Sequence, residues 1–180
     1  MKGIIFNLTE EVVRDAYGED AWDAVLDGAG LDGSWTSLGS YPDEYFSKVV
    51  TSAAALLGVD ESTVLRTVAQ GAMPLLATRY PHFFEHPDAS AFVLTLNDVI
   101  HPEVKKLYPG ATPPEFDVRR ESDSALVMRY QSARKLCALA EGFVQGAATH
   151  YGQTVEITQT QCMLLGGDLC LVQCQFAHVA

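Results

Sequence analysis

The sequence predicts an α+β domain: a helical N-terminal half, then a four-stranded antiparallel sheet with one long helix packed on it. Two observations carry this. Apolar residues recur at helical spacing up to the proline-rich run Tyr108–Pro114. Beyond Pro114 the pattern turns to short alternating segments in two pairs, separated by one long amphipathic run, Ala133–Tyr151. The length of 180 residues and a composition 48% hydrophobic and 19% charged fit a single globular domain, 1–180, with an ample core. Its helical part is expected over about 1–112 and its mixed α/β part over about 113–180.

In the opening segment Ile5, Leu8 and Val12 share a stripe, and Gly18 is a plausible stop. A second helix is expected over Asp20–Asp27 with Gly28 closing it, then a Gly/Ser-rich loop over Leu31–Ser40. Pro42 sits at the start of a third helix with acidic residues in its first turn, and Gly58 follows its end. Asp60 is a good N-cap for a fourth, which Pro74 should kink or break. Ala89–Leu96 reads as a short helix, and the segment Asn97–Tyr108 as another. Phe116–Arg120 and Ala125–Tyr130 read as strands around a polar turn. The Ala133–Tyr151 helix stops at Gly152. Val155–Cys162 and Leu169–Phe176 form the second hairpin around Gly166-Gly167-Asp168.

The net charge of −11 argues against nucleic acid and anionic membrane surfaces, which both need a basic face. No apolar run is long enough to span a bilayer and no signal peptide is evident, so a cytoplasmic protein is expected. Four cysteines do not make a disulfide scaffold.

Two stretches carry chemistry. In NDVIHPEVKKLY, His101, Val104, Lys105 and Tyr108 fall at i, i+3, i+4 and i+7, which places an imidazole among apolar neighbours. Such an imidazole is a satisfied core histidine or a metal ligand. In YQSAR, Tyr130, Ser132 and Arg134 alternate, so an extended backbone would point all three to one side. With Ser132 as helix N-cap, they would form a compact anion site; otherwise they are a cap beside two solvated side chains. Taken together the stretches suit haem, which needs an axial ligand, a clamp for two propionates and a large apolar cavity. Cys137, His150 and Asp168 have no spacing that supports a nucleophile set, so an enzyme is not expected.

MKGIIFN, DVIHPEVKKLYPGATPP and YQSAR, in this order and spacing, resemble the haem–nitric oxide/oxygen binding (H-NOX) domain, related to the haem domain of soluble guanylate cyclase. The likeness covers essentially the whole chain. It implies the H-NOX fold and one haem b, with His101 as proximal iron ligand and Tyr130, Ser132 and Arg134 on the propionates. Pro114 matches the residue the family presses against the haem, and Ile5 and Leu139 belong to the haem's surround. It further implies a signal: nitric oxide binds ferrous iron, the bond to His101 breaks, and the helical half shifts against the β-containing half. The partner implied in trans is a histidine kinase or a cyclic-di-GMP enzyme.

The departures are informative. Oxygen-binding members place a tyrosine in the long helix, where this chain has Leu139, with polar support near Thr9 and Ala72. A mostly apolar distal pocket follows, with Thr9 the one candidate donor, and with it an NO-selective sensor; an oxygen- or redox-sensing member is the alternative. Some bacterial members hold a structural zinc with three cysteines and a histidine. Cys137, Cys162 and Cys170 stand at the matching places, and Gln159 stands where the histidine would be. Cys174 and His178 are the candidate substitutes. Leu136–Phe176 alone also resembles the tail of vinyl-reductase-type domains, a haem-free small-molecule-binding class that leaves His101 and Arg134 unexplained.

Overall fold

A computed structural model describes residues 1–179. Four helices come first: α1 (Gly3–Tyr17), α2 (Glu19–Ala29), α3 (Asp43–Leu57) and α4 (Glu61–Arg79). Next come a 3-10 turn at Pro81–Phe84, α5 (Ala89–Leu94), a π-helical turn at Leu96–Ile100 and α6 (His101–Leu107). The mixed part follows as β1 (Glu115–Arg120), β2 (Ala125–Gln131), α7 (Cys137–His150), β3 (Gln153–Gln161) and β4 (Cys170–His178). The sheet is antiparallel throughout, in the order β1-β2-β4-β3. No helix is long and apolar enough to cross a membrane among the described residues.

The helix ends show where local chemistry decides. The Asp60 side chain accepts from the Thr63 N–H at 2.9 Å and starts α4 as read. Gly58 closes α3 at φ +66°. Gly28, however, does not close α2: it lies inside the helix, and Gly30 at φ +65° ends it. Gly28 serves packing instead. A Cβ there would lie 2.4 Å from Ser52 Oγ, which reaches past it to the Val25 carbonyl at 2.8 Å. α4 also runs unbroken through Pro74. Tertiary packing overrides the local penalty, because α4 makes the most extensive helix–helix contact of the fold, with α7. That approach is close: a Cβ on Gly142 would meet the Arg66 carbonyl oxygen at 2.5 Å, and beside it Arg66 Nε pairs with buried Glu141 at 2.9 Å.

Two cores result. One lies between α7 and the sheet, where Val144, Ala147 and Ala148 pack on Leu126, Met128, Val172 and Phe176. The other gathers Phe6, Trp22, Val25, Phe46, Val49 and Val68 in the helical half. Ala138, on α7, joins that second core, so one helix belongs to both parts.

Candidate functional site

A cavity of about 360 Å³ opens between these parts. Ile5 and Leu8 from α1, Met73 and Leu76 from α4, and Leu139, Phe143 and Val144 from α7 make an apolar wall. His101 and Val104 from α6 face it together with Phe116 and Met128 of the sheet. Pro114, Tyr130, Ser132 and Arg134 also line the cavity. Thus seven residues singled out in the sequence, Ile5, His101, Pro114, Tyr130, Ser132, Arg134 and Leu139, meet in one space.

The sequence around His101 explains its aim. The Thr95 carbonyl accepts from both Val99 N–H (2.9 Å) and Ile100 N–H (3.0 Å), which inserts a π-helical turn immediately before the histidine. Such turns recur at functional sites. The expected helix Ala89–Leu96 therefore ends early, at Leu94. The His101 ring lies 5.6 Å from that of Phe116, and its Nδ1 is buried without a hydrogen-bond partner. Burial, with a smaller push from Lys105, holds the imidazole down to about 4, so it is neutral at physiological pH with a lone pair to offer.

The YQSAR stretch comes together by a different route from the expected N-cap. α7 begins at Cys137, not at Ala133. Ser132 instead organises a turn: its Oγ accepts from Arg134 N–H at 3.2 Å and its carbonyl from Lys135 N–H at 3.1 Å, with Lys135 at φ +51°. The donor at the head of α7 is met by the phenol, since Leu136 N–H donates to Tyr130 Oη at 3.0 Å. Burial pushes the Tyr130 pKa up, so the phenol keeps its proton and can donate to an anion. Arg134 is fixed from outside the motif, its two terminal nitrogens donating to the Thr112 carbonyl and Thr112 Oγ1 at 2.8 Å each.

Several residues at the cavity were not singled out as site residues. Lys2 donates to Ser40 Oγ at 2.9 Å and to the Pro109 carbonyl at 3.2 Å, tying α1 to the proline connector. Tyr80 Oη and Tyr108 Oη share a hydrogen bond of 2.5 Å. Tyr108 was legible on the His101 stripe; Tyr80 and Lys2 gave no local signal. The wall made by α1, α4 and α7 is more apolar than expected. Thr9, the candidate donor, is buried with its hydroxyl turned to the Ile5 carbonyl at 2.8 Å, and neither it nor Ala72 lines the cavity.

The thiols form a separate group. Cys137, Cys162 and Cys170 have their sulfurs within 4.8 Å of one another, and neither Cys174 nor His178 joins them. Cys137 and His150 lie at opposite ends of α7, roughly 20 Å apart along its axis, so no nucleophile set with Asp168 is assembled.

A four-stranded antiparallel sheet, a shared long helix and an apolar cavity with one inward histidine and phenol, hydroxyl and guanidinium donors at its edge are the arrangement of a cofactor-binding module. The chain matches the Haem-NO-binding family over residues 2–159 and belongs to it. It is similar to an H-NOX protein from S. oneidensis in its Fe(II)NO state: 32% identity, TM-score 0.91, with 99% of this chain and 100% of that one covered. It is also similar to the Fe(II) unliganded H-NOX protein from K. algicida, at 25% identity and TM-score 0.88, covering 99% and 98%. An oxygen-binding H-NOX domain related to soluble guanylate cyclases shares the fold at 21% identity and TM-score 0.83, covering 99% and 96%. No match was found among curated proteins.

Proposed function

We propose that this chain is a haem-based nitric oxide sensor in which His101 holds the iron and Tyr130, Ser132 and Arg134 hold the propionates. The observation that carries the reading is the neutral His101 imidazole lining an apolar cavity, its Nδ1 left without a protein partner. The residues fit a haem: an axial donor on α6, an apolar wall on α1, α4 and α7, and phenol, hydroxyl and guanidinium donors at one edge. Pro114, in the connector before β1, supplies a rigid contact that can press on the ring.

When bound, haem supplies a ferrous iron that takes a diatomic gas. Leu139, Leu8 and Ile5 offer that gas no hydrogen bond, which favours nitric oxide over oxygen. Were His101 released from that iron on nitric oxide binding, α6 would lose the tether that His101 provides toward the cavity. The helical half, joined to the rest chiefly through α4 and α7, would then change its balance between two arrangements. The acidic chain favours a protein partner in trans, for which we infer a histidine kinase or a cyclic-di-GMP enzyme.

The test is a visible absorption spectrum of the anaerobically reduced protein, before and after nitric oxide and after air. A five-coordinate histidyl spectrum that responds to nitric oxide and gives no stable oxy form is expected. A stable oxy form would overturn the distal assignment, and an unchanged spectrum in His101→Gly would overturn the proximal one.

A further inference from the structure

The three clustered thiols lie outside the haem-site reading and do not depend on it. Cys137 opens α7, Cys162 follows β3 and Cys170 opens β4, so three distant segments converge. Cys137 Sγ and Cys162 Sγ are 3.9 Å apart, and all three cysteines are free. Cys170 is pinned by its pairing with Tyr130 and by Met163 N–H, which donates to its sulfur at 3.3 Å. Cys137 and Cys170 are buried, while half-buried Cys162 leaves an edge for entry.

No fourth ligand completes the set. No histidine or carboxylate joins the cluster among the described residues. Gln159, a poor ligand, stands in the neighbouring strand with its Nε2 buried and unpartnered. Cys174 is four strand residues beyond Cys170, roughly 13 Å at full extension. Structural zinc is almost always held by four protein ligands in a tetrahedron, so this donor set does not fit it. Three soft sulfurs in an enclosed site suit instead a soft monovalent ion content with three thiolates. Gln159 then has a part to play: an amide donor beside a sulfur cluster that carries excess negative charge.

We propose that Cys137, Cys162 and Cys170 form a three-thiolate site for Cu(I) and not for zinc. The metal enters and stays as Cu(I); the thiol protons leave to solvent as the copper–sulfur bonds form, and no electron moves. Occupancy ties the β3–β4 turn to the head of α7, one residue from the Leu136 N–H that engages Tyr130.

The test is an anaerobic titration of the reduced, metal-stripped full chain with Cu(I) against a chromophoric copper(I) chelator, and with Zn(II) against a zinc chelator. One equivalent of Cu(I) should be taken from its chelator, with three sulfurs around copper by X-ray absorption. Cys162→Ser should weaken Cu(I) binding on the order of a hundredfold, and Cys174→Ser should leave it unchanged. Gln159→His keeps all three thiols and should raise zinc affinity about tenfold or more; it decides the question even if Cys162→Ser does not fold. Stoichiometric zinc binding by the parent chain, failure to take Cu(I) from its chelator, or Cu(I) binding that survives Cys162→Ser would overturn the proposal.

Discussion

Asp43 reaches from the start of α3 to Arg134 in the clamp: Arg134 Nε lies 2.8 Å from Asp43 Oδ2, while the other carboxylate oxygen meets the Met1 α-ammonium. The chain's own N-terminus and a helix of the N-terminal half thus brace the guanidinium that faces the cavity. Burial alone would raise the Asp43 pKa, but hydrogen bonds and charge from Met1 and Arg134 hold it below the usual 3.8. A carboxyl lowered in the folded state contributes stability that is full above the unfolded value and lost as pH falls through the folded one. Asp43→Asn should cost no more than about 1 kcal/mol in denaturant unfolding at pH 7, since both partners are partly exposed. The difference from the parent chain should shrink and then vanish as pH falls below the usual 3.8 and through the lowered folded-state value. A difference that persists there would mean that the carboxylate's charge is not what matters.

His101 titrates in the same sense with a different cause. Its imidazole is moved by burial from 6.5 to about 4. In the haem-free chain the neutral form is favoured on folding, so stability is full above pH 6.5 and falls as pH drops to about 4. The loss is at most roughly 3 kcal/mol. His101→Gln should flatten that part of the stability–pH curve in the haem-free protein; an unaltered slope would show that His101 is not the group responsible.

These relationships also mark how far the sequence could be read. Periodicity was enough for the order of the main elements, and short-range chemistry for the Asp60 cap and the Gly58 stop. His101 and YQSAR were legible because their spacing alone gathers unusual donors. Legibility failed where the deciding partner is distant in sequence. Nothing near Gly28 announces Ser52, nothing near Pro74 announces α7, and nothing near Asp43 announces Arg134. The late start of α7 has the same origin, because the donors and acceptors that hold residues 132–136 include Thr112, Asp43 and Tyr130.

The α4–α7 contact gives a stability prediction. Gly142→Ala would drive a Cβ to 2.5 Å from the Arg66 carbonyl oxygen and 2.8 Å from Ala69 Cβ. Backbone cannot swing aside as a side chain can, so the helices must part. The cost should be about 1–3 kcal/mol in unfolding free energy, the range for overpacked sites. A neutral effect, read by thermal melting, would mean that this crossing yields easily.

The apolar wall of α1, α4 and α7, which we propose lies on the gas-binding side, offers the most direct test of ligand choice. Leu139 occupies the place of the tyrosine that the resemblance assigns to oxygen-binding members, and the only hydroxyl expected near it, on Thr9, is satisfied within α1 at 2.8 Å. A bound oxygen carries partial negative charge and gains from a donor; nitric oxide does not need one. Leu139→Tyr supplies a phenol with no competing acceptor among Ile5, Leu8 and Phe143, all apolar neighbours of the cavity. One added hydrogen bond is worth about 1–1.5 kcal/mol, or roughly tenfold in affinity. The haem-loaded variant should therefore hold oxygen about ten times more tightly than the parent chain while its nitric oxide spectrum stays the same. Oxygen affinity unchanged by the phenol would place the gas away from Leu139 and overturn the assignment of this wall as distal.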